Sequence, residues 1–418
     1  MENSDYPLSE VPREARKGLI STSLVLLGFT FFTSTMWAGG ALGEAFAIGE
    51  LLWIILIGNL LLGGYAATLA YIACRSGLNS VLMGRFCFGE LGSKLSDAIL
   101  GFTQIGWYAW GTATIALVLV KATGIPDAFT MPLMVAFGLA FCLTAMVGYR
   151  GLDLLSRFAV PAMLVFILIS LYRGLIDIGG FGGLAAQTPT GSMNVTAAIT
   201  IVIGTFISGG TQATNWARFA RTPKIAVIAT LAAFFVGNGL MVLTGAFGAL
   251  VYQQADIVDV LMAQGFVTIA VLMLFLNIWT TQDNTIYNFA VAGCNLLRID
   301  KRRVVTVAGA LVGTVLAIGG MYNLLIPFLL LLGTFIPPIG GVIMADFWLK
   351  HKGQYPTLAE ANLPAFNWQG LGAYAFGSAV AYGSPVLPPV VGVLAAVVGY
   401  GVLHHLPLRM ASLRMVKG

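Results

Sequence analysis

The feature that most constrains this chain is a succession of about twelve long apolar stretches separated by short polar ones. At ~1.5 Å per residue, a helix of ~20 apolar residues crosses the ~30 Å hydrocarbon layer of a bilayer. Stretches of that order occupy residues 19–42, 51–74, 95–120, 131–147, 154–171, 195–219, 225–251, 266–288, 304–319 and 324–348, and two weaker ones follow at 371–382 and 386–406. The runs are continuous rather than alternating every second residue, which excludes a β-barrel. Apolar residues make up 58% of the chain and charged residues 9%, where a soluble domain carries ~25% charged residues. Lipid must therefore serve as part of the solvent. The expected fold is an all-α polytopic membrane protein with twelve transmembrane helices.

Charge tests this layout independently. Arg13, Arg16 and Lys17 precede the first span; Arg75, Arg85 and Lys94 separate the second and third; Arg150 and Arg157 flank the next even-numbered turn. Arg218, Arg221 and Lys224 follow the sixth span, Arg298, Lys301, Arg302 and Arg303 the eighth, Lys350 and Lys352 the tenth, and Arg409, Arg414 and Lys417 close the chain. Of the 22 basic residues only Lys121 and Arg173 fall on the other side. The positive-inside rule makes the basic side cytoplasmic. Both termini are then cytoplasmic, as tails over 1–18 and 408–418, and the net charge of +5 requires no nucleic acid. The polar tail precedes an apolar stretch too long for a cleavable signal. Cys74, Cys87, Cys142 and Cys294 form no CxxC pair, so neither a disulfide framework nor a metal site is expected. His351, His404 and His405 lie near cytoplasmic ends, which argues against a membrane-embedded enzyme.

Two spans carry polar residues and glycine in mid-course. The first holds Gly28-Phe29-Thr30-Phe31-Phe32-Thr33-Ser34-Thr35 and then Gly39-Gly40; the sixth holds Gly204-Thr205-Phe206-Ile207-Ser208-Gly209-Gly210-Thr211-Gln212. They correspond if residues 19–175 and 190–350 are two halves of opposite orientation, followed by two extra helices over 368–407. Interrupted spans at matching places in inverted halves point to a transporter's binding site; ordinary small-residue packing is the plainer reading of either alone. The eighth span carries Asn277-Ile278-Trp279-Thr280-Thr281-Gln282-Asp283-Asn284. Its adjacent hydroxyls suit a hard cation with oxygen ligands, such as Na+. Asp283 is read either as an intramembrane functional acid or as a structural one near the helix's cytoplasmic end. In the third span, Gln104 and Trp107 stand at i, i+3 on one helix face, with Trp110 three residues further. An aromatic face beside a carboxamide suits a planar heteroaromatic solute, although Trp107 can equally be a packing residue. Pro337-Pro338 marks a bend in the tenth span, as a hinge or as a static kink.

With these residues in place, the chain resembles the bacterial cytosine permeases of the nucleobase–cation symporter group over nearly its whole length. The resemblance is carried by Val11-Pro12 with Ala15-Arg16-Lys17-Gly18, by Leu27 to Phe32 with Met36-Trp37, and by Ile57 to Gly63. It continues through Thr103 to Trp107, Phe206-Ile207-Ser208, Leu276 to Thr281, Asp283-Asn284 and Ile336 to Ile343. It implies a leucine-transporter-like five-plus-five inverted repeat with two additional C-terminal helices, in the bacterial inner membrane. It also implies sodium-coupled uptake of cytosine by alternating access, with no other cofactor and no obligatory protein partner. On the matching positions, Trp107 and Phe206 sandwich the base and Gln104 and Asn277 read its polar edge. Phe32 and the backbone around Ser208 and Gly209 complete the pocket. The sodium ligands are the carbonyls of Gly28, Phe31 and Asn277 and the hydroxyls of Thr280 and Thr281. Gln282 stands where the resemblance leads one to expect Asn, and is carried as a further substrate contact. Proton coupling, with Asp283 as its carrier, or another ring such as a different nucleobase, a hydantoin or allantoin, are the alternatives within the same fold.

Overall fold

The computed structural model describes residues 6–254, 260, 263–265 and 267–405; the expected C-terminal tail at 408–418 lies outside the described residues. Almost all of the described chain is helical, and its one β-bridge pairs Lys17 with Ala220. The helices are α1 (Leu19–Thr30), α2 (Thr33–Ala45), α3 (Ile48–Ser76), α4 (Ser80–Phe88), α5 (Ser93–Thr123), α6 (Thr130–Ala140), α7 (Cys142–Val147), α8 (Tyr149–Asp177), α9 (Gly180–Ala185) and α10 (Val195–Gly204). They continue as α11 (Ile207–Gln212), α12 (Thr214–Ala217), α13 (Pro223–Leu231), α14 (Asn238–Tyr252), α15 (Val267–Leu297), α16 (Arg302–Ile318), α17 (Leu325–Phe335), α18 (Pro337–Ala345), α19 (Trp368–Gly383) and α20 (Pro388–His404). Among the described residues, six units are long and apolar enough to cross a membrane, or eight if each of two bent helix pairs is one span. The remaining candidates fall short for visible reasons. α15 has the length but is polar through its middle, and α16, α19 and α20 are 17, 16 and 17 residues long.

The bent pairs are α1–α2, turning by 56°, and α10 with the segment Ile207–Ala217, turning by 41°. The first break falls at Phe31 (φ −76°, ψ 86°) and Phe32 (φ −131°, ψ 130°). The second falls at Phe206 (φ −138°, ψ 17°). Neither break needs a glycine dihedral, and the Gly39-Gly40 pair is not part of one. Those residues are helical, and Gly39 has a different task. A Cβ on it would stand 2.1 Å from the Val242 carbonyl oxygen, one on Gly43 2.2 Å from that of Ala246, and one on Gly245 1.8 Å from that of Met36. α2 and α14 thus touch backbone to backbone, the close approach that small residues four apart permit in lipid.

Asn238, at the start of α14, ties the breaks together from behind. Its amide donates to Asn59 Oδ1 (2.9 Å) and Thr205 Oγ1 (3.2 Å), and its carbonyl oxygen accepts from Thr35 Oγ1 (3.2 Å). Such polar side chains are buried, whereas large apolar ones such as Ile20, Trp53, Phe158 and Phe181 are exposed around the outside, the arrangement expected where lipid surrounds the molecule.

On the basic side, the N-terminal segment lies across several loops. Val11 N donates to Gly77 O (3.0 Å), Lys17 N to Phe219 O (2.5 Å) and Arg221 N to Lys17 O (2.9 Å). The buried Arg218 donates to Tyr6 O (2.9 Å), and Leu358 N donates to Glu10 Oε1 (2.6 Å). One expectation needs correction here. α15 runs on to Leu297, so Asp283 sits in the helix interior rather than near its end. The expected bend at Pro337-Pro338 is present: the helix is interrupted at Ile336, between α17 and α18, and Pro337 opens α18, within one span-length unit over Leu331–Lys350.

Candidate functional site

Both breaks bring their aromatic residues to one place. Phe29 and Phe206 meet edge to face, with ring centroids 4.9 Å apart. Phe32 stands at 81° to Trp107 on α5 (5.6 Å) and at 86° to Phe206 (6.3 Å). Between them lies a nearly closed cavity of about 10 Å³, so the rings must part to admit a solute; it is lined by Phe29, Phe32, Gln104, Trp107, Thr205, Phe206, Ser208, Gly209, Thr281 and Thr285. Glycine is required at 209: a Cβ there would stand 2.5 Å from the Phe206 ring and 2.8 Å from that of Phe29. Trp107 Nε1 donates to Ser208 Oγ (3.2 Å), which fixes the indole against the second break.

Gln104 is held from the side away from the cavity. Asn215 Nδ2 donates to Asn288 Oδ1 (2.6 Å), and Asn288 Nδ2 in turn donates to Gln104 Oε1 (3.3 Å). This relay fixes the amide's orientation and leaves Gln104 Nε2 buried without a protein acceptor among the described residues. A buried donor of that kind costs free energy until something accepts from it. Its surroundings are aromatic faces, so a flat ring with an acceptor on its edge satisfies both.

Beside this cavity lies an oxygen-rich cluster. Thr281 Oγ1 is 3.1 Å from Phe31 O, 3.3 Å from Phe29 O and 3.3 Å from Asn277 O, and Thr280 Oγ1 is 3.0 Å from Asn277 O. One hydroxyl proton can serve only one of three carbonyls at a time. The cluster has more lone pairs than protons, which is the donor set a hard cation takes. Phe31, Asn277, Thr280 and Thr281 come together here as expected from sequence. A further carbonyl within reach of the Thr281 hydroxyl is that of Phe29, one residue on from Gly28. The Cα of Gly28 also lets α1 approach α8, where a Cβ would fall 2.5 Å from Ser156 Oγ.

Six of the residues expected to touch substrate line the cavity: Phe32, Gln104, Trp107, Phe206, Ser208 and Gly209. Two do not. The side-chain oxygen of Asn277 accepts from Thr33 Oγ1 (2.8 Å), which joins α15 to α2. Gln282 Nε2 donates to Tyr108 O (2.5 Å) and Thr112 Oγ1 (3.3 Å), so its extra methylene carries the amide into the back of α5, against Gly111. Trp110 stacks on Tyr322 (5.6 Å, 18°) and is absent from the lining. Phe29, Thr205 and Thr285 join it without having been singled out. Thr285 lies one helical turn beyond Thr281 on the same face of α15, and that spacing was visible in the sequence. Asp283 is buried, bonded to Asn284 Nδ2 (3.0 Å), and its Oδ2 has no hydrogen-bond partner among the described residues.

Comparison with known proteins bears on this geometry. Residues 10–406 match the family model described as permease for cytosine/purines, uracil, thiamine, allantoin. The chain is 37% identical over 415 residues to the cytosine permease of Escherichia coli (strain K12), covering 99% of this chain and 97% of that one. It is 24% identical over 377 residues to the hydantoin permease of Microbacterium maritypicum, covering 80% and 74%. Among solved structures, it superposes on Mhp1, a nucleobase-cation-symport-1 family transporter in a closed conformation with bromovinylhydantoin bound, with a TM-score of 0.85. Identity there is 19%, and 95% of this chain and 94% of that one are covered. A Na+-coupled sialic acid symporter in a substrate-bound outward-open state gives a TM-score of 0.68 at 11% identity, covering 93% and 90%.

Proposed function

The chain belongs to the family of permeases for cytosine, purines, uracil, thiamine and allantoin, and from that premise we propose that it is a sodium-coupled cytosine symporter working by alternating access. It is a transporter rather than an enzyme, as its relatives are permeases. The observation that carries the substrate reading is the Gln104 amide, whose Nε2 has no acceptor among the described residues, in the lining of one cavity with the Trp107, Phe206 and Phe32 rings. Cytosine is flat, and its ring carbonyl and N3 accept hydrogen bonds. Gln104 donates to that edge, Trp107 and Phe206 flank the ring with Phe32 at its side, and Ser208 Oγ and the backbone at Gly209 meet the remaining polar atoms. Asn277 acts through the cation cluster rather than on the base.

Sodium sits among the carbonyls of Gly28, Phe31 and Asn277 and the hydroxyls of Thr280 and Thr281, with the carbonyl of Phe29 also within reach of Thr281. Both sites share the break at Phe31 and Phe32, so filling one sets the backbone that lines the other. The two halves over 19–175 and 190–350 each open with a bent pair, which supports an inverted repeat. α15, α16, α19 and α20 complete twelve spans in the bacterial inner membrane, with both termini cytoplasmic. The test is uptake of labelled cytosine into liposomes holding the purified protein. Uptake saturates, is competed by unlabelled cytosine more strongly than by uracil, adenine or hydantoins, and collapses when choline replaces Na+. Competition by a hydantoin alone would give the site to a different ring. Asp283 favours a second reading: a buried acid in the interior of α15, one of whose oxygens has no hydrogen-bond partner among the described residues, is a proton carrier's setting. Uptake that survives without Na+ and follows the pH gradient would establish it.

A further inference from the structure

Where the N-terminal segment crosses the loops on the basic side, a cavity of about 460 Å³ is lined by Arg13 and Arg16 from that segment, Arg75 from the end of α3, Arg221 from the α12–α13 connection, and Gln354 and Tyr355 after α18. Among the described residues no acid contributes to its lining. We propose that this cavity binds a phosphate-bearing anion. Three stretches remote in sequence deliver four guanidinium groups to one concave space, and like charges gathered this way repel unless an anion lies among them.

The topological bias of positive charge explains arginine on this side of the membrane, but not its convergence on one cavity. Among the described residues the four arginines form no ion pair. The ion pairs among the described residues use Arg85, Arg157, Arg173, Arg298, Lys350 and His351, and none of these four. Arg16 Nη1 donates to Cys74 O (2.9 Å) and Arg75 Nη2 to Gly353 O (3.4 Å), which braces the walls, while Arg16 Nε is buried without a hydrogen-bond partner among the described residues. Pro223, the first residue of α13, also lines the space, so the positive end of that helix adds to the field. Planar forks of fixed geometry match phosphate oxygens two at a time. The volume lies within the range of small-ligand pockets. Because the walls come from both proposed halves and from the N-terminal segment, an anion here fastens that segment to the loops. The phosphate can come from a soluble phosphorylated metabolite or from an anionic lipid headgroup.

The experiment uses the full chain in phosphatidylcholine nanodiscs, where both faces are accessible and cytosine transport plays no part. Inorganic pyrophosphate is titrated by calorimetry in one arm. In the other, phosphatidylglycerol is added to the discs and thermal unfolding is followed. Saturable pyrophosphate binding, weakened about tenfold by Arg13→Gln and by Arg221→Gln and unchanged by Arg173→Gln, supports the site and assigns it a soluble ligand. Stabilisation by phosphatidylglycerol alone, lost in the same two variants, supports it with a lipid headgroup as occupant. Arg13 lies outside every spanning helix, and Arg221→Lys retains charge without the fork, so a folding defect in one variant leaves the others to decide. No response in either arm, or equal responses in wild type, Arg13→Gln and Arg221→Gln, overturns the proposal.

Discussion

At the scale of single residues, two sites that share one backbone break are separable by mutation. Trp107→Ala removes a stacking face worth ~1–3 kcal/mol together with the bond to Ser208. The KM for cytosine rises roughly 5- to 150-fold, while detergent-solubilised protein elutes as wild type. Thr281→Ala removes the hydroxyl that faces three carbonyls. The Na+ concentration for half-maximal uptake rises about tenfold or more, whereas cytosine affinity at saturating Na+ changes little and Thr281→Ser restores the wild-type response. Residue identities were legible from sequence wherever chemistry and spacing agreed, as for Gln104 and Trp107 one turn apart. They were not legible where direction decides. Asn277 and Gln282 are polar and at the right depth, but they point to α2 and α5, and one-dimensional spacing does not give that.

At the scale of helices, glycine carried two meanings that the sequence does not separate. The first break falls inside the stretch Gly28–Thr35, at Phe31 and Phe32, whereas the glycine row that follows, beginning at Gly39, is a packing seam. Adding a methyl at Gly39 or Gly245 forces α2 and α14 apart. Each of Gly39→Ala and Gly245→Ala costs about 1–3 kcal/mol, read as a lower unfolding midpoint in detergent, while Gly64→Ala, whose Cβ meets nothing within 4 Å, leaves it unchanged. α15 was misjudged for the opposite reason. Its polar middle made the apolar run appear to stop near Asn288, but helices buried among other helices tolerate such residues, and it runs on to Leu297.

At the scale of the whole molecule, the pattern of apolar runs and basic loops anticipated a helical transporter before any contact was known. The closing of two broken helices onto α5 and α15 could be inferred only from their matching positions. The coupling ion is a property of this scale, since it depends on which site communicates with the gates. Asp283→Asn keeps Na+-driven uptake within a few-fold of wild type in liposomes at constant pH, and an imposed pH gradient without Na+ drives neither protein. Loss of uptake in Asp283→Asn with the Na+ response intact in the wild type would make the acid part of the coupling path.

The seat of Gln282 reaches beyond this one chain. A Cβ at Gly111 would stand 2.7 Å from the Gln282 amide carbon, so the long side chain at one position is admitted only by the missing one at the other. The two positions form a single heritable unit. A lineage that shortens residue 282 to Asn opens room for Ala at 111, and one that acquires Ala at 111 first passes through a crowded intermediate. Among relatives the pair is expected to change together, in that order.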